Sequence, residues 1–215
     1  MARRRRAALL AAGLALAILE GCGDGANWHS ADVSGSLPPL SFSLTRSEDG
    51  KRVTEADYRG KIVLLYFGYT QCPDECPSTL ANTAEILSRL GADAQFVRVL
   101  FVTVDPNRDT APILSTYTRN FAPEIVGLRG TPDALAALAR RYRVLYSVTP
   151  ATKDHRYEVT HSAGVYVFDR WGDARLIVAA LDRANSDIAG TAADLRRLIA
   201  ETQPRGVLAR LRDWL

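Results

Sequence analysis

Apolar positions fall into short blocks whose spacing switches repeatedly between that of a strand and that of a helix. Residues 61–68 (KIVLLYFG) and 95–104 (QFVRVLFVTV) are nearly continuous apolar runs, as strands buried on both faces require. Between them, Leu80, Ala84, Leu87 and Leu90 recur at helical spacing over 78–90, and Gly91 marks the stop. Short strands are expected at 41–44 and 52–54. A helix should open at Thr110-Ala111-Pro112 and run towards Asn120, followed by a strand at 125–129. Thr131-Pro132 places a cap and a proline at the start of a further helix through Leu135, Leu138 and Tyr142. Strands at 164–169 and 175–180, joined by the turn Arg170-Trp171-Gly172-Asp173, precede a last helix over 186–201. Residues 144–159 fit no helix and read as an inserted hairpin or loop. Strands alternating with helices, then a hairpin and a final helix, predict an α/β domain with a mixed sheet.

The N-terminus follows a different pattern. Four consecutive arginines, Arg3 to Arg6, precede an apolar run over 7–19, which is an export signal and too short for the ~20 residues of a spanning helix. Leu19-Glu20-Gly21-Cys22 resembles the lipobox of bacterial lipoproteins, in which the cysteine carries lipid and becomes the mature N-terminus; Glu20 is its one departure. An ordinary cleaved secretory peptide and an uncleaved short anchor are the alternatives. Residues 22–39, rich in Gly, Ser, Asp and Pro, read as a flexible tether to a domain at 40–203. The tail at 204–215 has amphipathic spacing, with Val207, Leu208, Leu211, Trp214 and Leu215 among Arg205, Arg210 and Arg212. It is suited either to docking on the domain or to lying on a membrane surface.

Charge and cysteine number change meaning once the signal is set apart. The chain of 215 residues carries a net charge of +3 and three cysteines. Residues 1–21 hold four arginines and one glutamate, so the remainder has 23 basic and 23 acidic side chains and no electrostatic case for binding nucleic acid. Two cysteines then remain, Cys72 and Cys76.

They lie in Tyr69-Thr70-Gln71-Cys72-Pro73-Asp74-Glu75-Cys76-Pro77, at the junction between the first buried strand and the helix after it. Four residues apart at a helix start, both sulfurs share a face, and backbone N–H groups there favour thiolate. As a structural disulfide the pair would close too small a loop to gain much chain entropy. Closed zinc sites want four protein ligands, whereas Cu(I) is soft and is satisfied by two thiolates and an imidazole. Of the three histidines, His29 lies in the tether and His155 in a polar stretch, and both read as solvated. His161 precedes the strand at 164–169, and if that strand runs antiparallel to 61–68, its start faces the cysteine loop. Asp105 ends a buried strand beside the same place. It could orient a ligand or contact a partner, or it could simply hold a capped, salt-bridged loop with Arg108 and Asp109.

Three runs carry a resemblance: Tyr66-Phe67-Gly68-Tyr69-Thr70-Gln71-Cys72-Pro73-Asp74-Glu75-Cys76-Pro77, Val102-Thr103-Val104-Asp105-Pro106-Asn107-Arg108-Asp109-Thr110, and His161-Ser162 before Val165-Tyr166-Val167-Phe168-Asp169. Over about residues 35–200 the chain is similar to the Sco/SenC family of copper-binding assembly proteins. The resemblance implies a thioredoxin-like fold and copper held by Cys72, Cys76 and His161. It also implies delivery of that copper to the CuA site of cytochrome c oxidase subunit II, an upstream copper donor or thiol reductant, and a role in reducing that site's cysteines. Thr160 stands where the family often has an acidic residue. The alternative is a thiol-disulfide oxidoreductase on the same scaffold. Against it, the cysteines are spaced by three residues rather than two, and Thr160-His161-Ser162 lacks the proline that precedes the facing strand in redox thioredoxins. A monomer held on the periplasmic face of the bacterial inner membrane through lipid on Cys22 is the expected setting.

Overall fold

The computed structural model describes residues 27–153 and 157–202. Its strands are β1 (Ala31–Asp32), β2 (Ser43–Arg46), β3 (Arg52–Thr54), β4 (Ile62–Gly68), β5 (Val97–Thr103), β6 (Ile125–Arg129), β7 (Tyr146–Thr149), β8 (Glu158–His161), β9 (Val165–Phe168) and β10 (Ala174–Val178). Among the described residues four α-helices accompany them: α1 (Glu75–Leu90), α2 (Ala111–Arg119), α3 (Pro132–Arg141) and α4 (Ile188–Ala200).

Eight strands form one sheet in the order β1-β10-β9-β4-β5-β6-β2-β3. β4, β5 and β6 are parallel, in register from Ile62 opposite Val97 to Gly68 opposite Thr103, while β9 runs antiparallel to β4 with Tyr166 opposite Leu65. Every residue of β4 is buried, which explains its unbroken apolar run. Alternation along β4 sends Tyr66 towards α1 and Leu65 to the other face, so one strand anchors both halves of the core. α1 and α4 pack side by side. At the end of α3, Tyr142 packs against Tyr166 and Phe168 at ring distances of 6.1 and 5.3 Å. The expected α/β architecture, a mixed sheet flanked by helices, is the one observed.

Two local expectations are revised and one is realised in a specific form. α1 begins at Glu75 rather than at 78, because Pro77 sits in its first turn, where a missing N–H costs nothing, and Cys76 is therefore inside the helix. The 144–159 segment is the expected inserted hairpin: it supplies β7 and the start of β8, a separate two-stranded sheet in which Tyr146 lies opposite His161. His161 therefore closes a strand of its own and is three residues short of β9. Residues 27–39 do not behave as a tether: β1 pairs with β10, and the His29 and Ser30 N–H groups donate to the buried carboxylate of Asp194 at 3.1 and 2.9 Å. Trp28 packs against the core with the Arg197 guanidinium 4.6 Å from its ring. Those long-range partners outweigh the local composition. The segment read as an export signal, Cys22, His155 and the tail at 204–215 lie outside the described residues. Among the described residues, no helix is long and apolar enough to cross a membrane.

Candidate metal centre

β4 and β5 deliver the chain to one end of the sheet, and the loop after β4 turns there into α1. Antiparallel β9 begins at the same end, so the residue stretch just before it, which contains His161, faces the cysteine loop. The sulfurs of Cys72 and Cys76 and a ring nitrogen of His161 all lie within 4.8 Å of one another. Cys76 Sγ is 3.2 Å from His161 Nε2, and the Cys76 N–H donates to Cys72 Sγ at 3.3 Å. Both cysteines are free thiols, Cys76 fully buried and Cys72 half-buried. The antiparallel placement expected of His161 is thus realised, and His29 does not join: its Nδ1 is instead 3.0 Å from the Asp187 carboxylate.

The two sulfurs are electrostatically unlike. Cys72 is held down to about 4, first by the Cys76 thiol donating to it, and also by the backbone N–H groups of Cys76 and Asp74; partial burial opposes this. The neighbouring Cys72 sulfur and burial push the Cys76 thiol far up. The surroundings thus favour thiolate at Cys72 and thiol at Cys76. His161 Nδ1 lies 3.2 Å from the carbonyl of Ser162, which can only accept, so Nδ1 carries the hydrogen and Nε2 presents its lone pair to the sulfurs. Its ring stands edge-on to Tyr66 and Tyr69, at 6.0 and 5.9 Å between centroids. Two sulfurs and an imidazole nitrogen, oriented from behind and walled by aromatics, are a donor set for a soft metal ion.

The centre opens into a cleft of about 330 Å³ lined by Tyr69, Cys72, Pro73, Asp74, Glu75, Val159, Thr160 and His161. A larger groove of about 490 Å³ runs between α3 and β7, but no thiol or imidazole lines it. The chemistry places the site in the smaller cleft.

Several supporting residues do not stand out in the sequence. A Cβ on Gly68 would sit 2.7 Å from Phe101 Cε2 and 2.8 Å from Cys76 Sγ, so only glycine leaves room for the buried sulfur. Asp109, fully buried, accepts from the Thr70 N–H and hydroxyl at 3.1 and 2.6 Å and from the Thr103 hydroxyl at 2.5 Å, fixing the loop two residues before Cys72. Gly68 ends β4, and Asp109 lies in the loop after β5, where the sequence suggested a capped, salt-bridged turn with Asp105 and Arg108. Asp105, also buried, touches none of the three ligands; it accepts from the Tyr157 hydroxyl at 2.7 Å and pairs with Arg108.

A mixed sheet flanked by helices, with two cysteines at the start of a helix and a histidine facing them, defines a thioredoxin-like metal-binding class. The SCO1/SenC family model matches residues 38–200, and the chain belongs to that family. Bovine "Protein SCO2 homolog, mitochondrial" is 42% identical over 128 residues, 59% of this chain and 48% of the relative. The mouse protein of the same description is 36% identical over 169 residues, 75% of this chain and 66% of the relative. The matched region thus spans between about half and two thirds of these relatives. The structure of Bradyrhizobium japonicum ScoI with copper bound is 39% identical, with a TM-score of 0.65, covering 74% of this chain and 98% of that one. Yeast Sco1 with copper bound is 30% identical with a TM-score of 0.70, covering 80% and 95%.

Proposed function

We propose that the chain is a copper chaperone that holds one copper ion through Cys72, Cys76 and His161 and delivers it to the CuA site of cytochrome c oxidase subunit II. The observation that carries this reading is the convergence of two sulfurs and an imidazole lone pair at an open cleft, in a chain similar to Sco proteins whose structures contain copper. Copper is the cargo. The half-exposed Cys72 thiolate is the first sulfur it meets; Cys76 then gives up its proton to solvent and His161 Nε2 completes the set. Burial of Cys76 and the Tyr66 and Tyr69 walls keep water from one side, while the cleft leaves the other side for a ligand from the recipient. Copper moves on by exchange of one ligand at a time. The proposed setting is a monomer at the periplasmic face of the bacterial inner membrane, anchored by lipid on Cys22 and loaded by an upstream copper donor.

The free, adjacent thiols also favour a second role. Thiolate Cys72 attacks a disulfide in the recipient to form a mixed disulfide. Cys76 then attacks Cys72, releasing the recipient's dithiol and leaving this chain oxidised; an upstream thiol reductant restores it. In transfer assays, two equivalents of the reduced, Cu(I)-loaded protein should fill the copper-free, reduced soluble domain of subunit II, and one-electron oxidation by added ferricyanide should then develop the CuA absorption. His161→Ala should fail to do so while still reducing that domain when it is oxidised. A parent that retains copper in the presence of the reduced domain contradicts the delivery reading.

A further inference from the structure

His161 rides on β8, and β8 pairs only with β7 among the described residues, outside the main sheet. Main-sheet hydrogen bonds therefore do not set its distance from the cysteines. Tyr157, the residue before β8, supplies a connection that does. Its hydroxyl donates to Asp105 Oδ1 at 2.7 Å, and Asp105 is 1% exposed at the end of β5. The other oxygen of Asp105 accepts from Arg108 Nε. The Arg108 guanidinium lies 3.9 Å from the centre of the Tyr157 ring and 5.8 Å from that of Tyr69, and its Nη1 donates to Gln71 Oε1 at 3.1 Å. Gln71 is the residue before Cys72. Farther along β8, the Tyr69 hydroxyl donates to the Val159 carbonyl at 3.3 Å.

We propose that Tyr157, Asp105 and Arg108 form a clamp that ties the hairpin carrying His161 to the loop carrying Cys72, and so sets the third ligand's position. The clamp rests on the copper-holding reading above, and its members are positioning residues, since none touches a sulfur or His161. A strand advances ~3.3 Å per residue, so the four residues of β8 form a lever about 13 Å long, fixed at its base by Tyr157, held partway along by the Tyr69 hydroxyl on Val159, and carrying the ligand at its tip. The pin is strong for its size: a buried carboxylate takes one neutral and one charged donor, and a cation stacks on the donor's own ring. Removing the Tyr157 hydroxyl leaves an Asp105 oxygen unpaired in a buried place and frees the base of the lever.

A double-mutant cycle on the whole protein isolates the effect. Cu(I) affinity, measured by competition with a chromogenic chelator, should fall about 10-fold or more in Tyr157→Phe, the size expected when a partner that orients a ligand is lost. In the His161→Ala background the same change should have no further effect, because the lever then carries no ligand. Asp105→Asn should behave like Tyr157→Phe, and it keeps the test in force if the phenylalanine variant does not fold. Electron paramagnetic resonance of the Cu(II)-loaded variant should show weakened nitrogen hyperfine coupling. Equal losses with and without His161, or no loss with His161 present, overturn the clamp. A parent and His161→Ala of equal copper affinity would instead overturn the three-ligand reading and the clamp with it.

Discussion

Cys76→Ser is expected to lower copper affinity by more than about a hundredfold, beyond the 10–100-fold typical of losing a group that only orients a ligand. The sulfur is fully buried, 3.2 Å from His161 Nε2, and seated in the space that the missing Cβ of Gly68 leaves. A serine oxygen there is a harder donor and holds its proton more firmly, so the substitution keeps the shape and removes the soft ligand. The parent should also show a pH signature that the variant lacks. Cys72 is already thiolate above about pH 4, whereas the Cys76 thiol is pushed up by its neighbour and by burial. Loading therefore releases the Cys76 proton, and raising the pH favours the loaded form. Affinity should climb about tenfold per pH unit between about pH 7.5 and 9, one proton being released for each copper bound. Chelator competition at several pH values reads both effects: a slope near one proton in the parent, near zero in Cys76→Ser.

Arg175→Met is expected to cost about 3–5 kcal/mol of stability, the range for removing one partner of a buried ion pair. Arg175 is 1% exposed, and its Nη1 and Nη2 donate to Glu201 at 2.5 and 2.9 Å, with Nη1 also 3.3 Å from Asp169 Oδ2. The methionine fills much of the volume, so the loss reflects stranded charge more than a cavity. Burial is the first cause that raises the Asp169 carboxyl above its ordinary range even with the arginine present. A carboxyl raised in the folded state binds more protons folded than unfolded, so lowering the pH favours the folded form of the variant. The gap between variant and parent should narrow as pH falls through the carboxylate range, as urea denaturation at several pH values would show. Copper affinity of the folded variant should be unchanged, because Phe168, next to Asp169, lies opposite Val63 at the far end of β4 from Gly68.

The parts legible in the sequence were those whose signal is contiguous. β4 could be read because both its faces are buried, and the Cys72–Cys76 motif because strand, loop and helix start follow one another directly. His161 was legible at one remove, through the antiparallel pairing of β9 with β4 and through the resemblance. What escaped reading depends on distant partners. Tyr157 and Asp105 are 52 residues apart, and neither local pattern announces the other. Gly68 reads as one more small residue until Cys76 and Phe101 are seen crowding it. Polar composition over 22–39 suggested a tether, yet Trp28 and the backbone of His29 and Ser30 find partners on α4, more than 150 residues away. The start of α1 was placed late because its apolar helical spacing begins only at Leu80, so the first turn, which carries Cys76, shows no pattern of its own.

X-ray absorption at the copper edge of the reduced, singly loaded protein tests the central claim most directly. Two sulfurs and one imidazole nitrogen around each copper, with the nitrogen lost in His161→Ala, is the expected result. A coordination shell of sulfur alone, or an unchanged nitrogen contribution in His161→Ala, would contradict it.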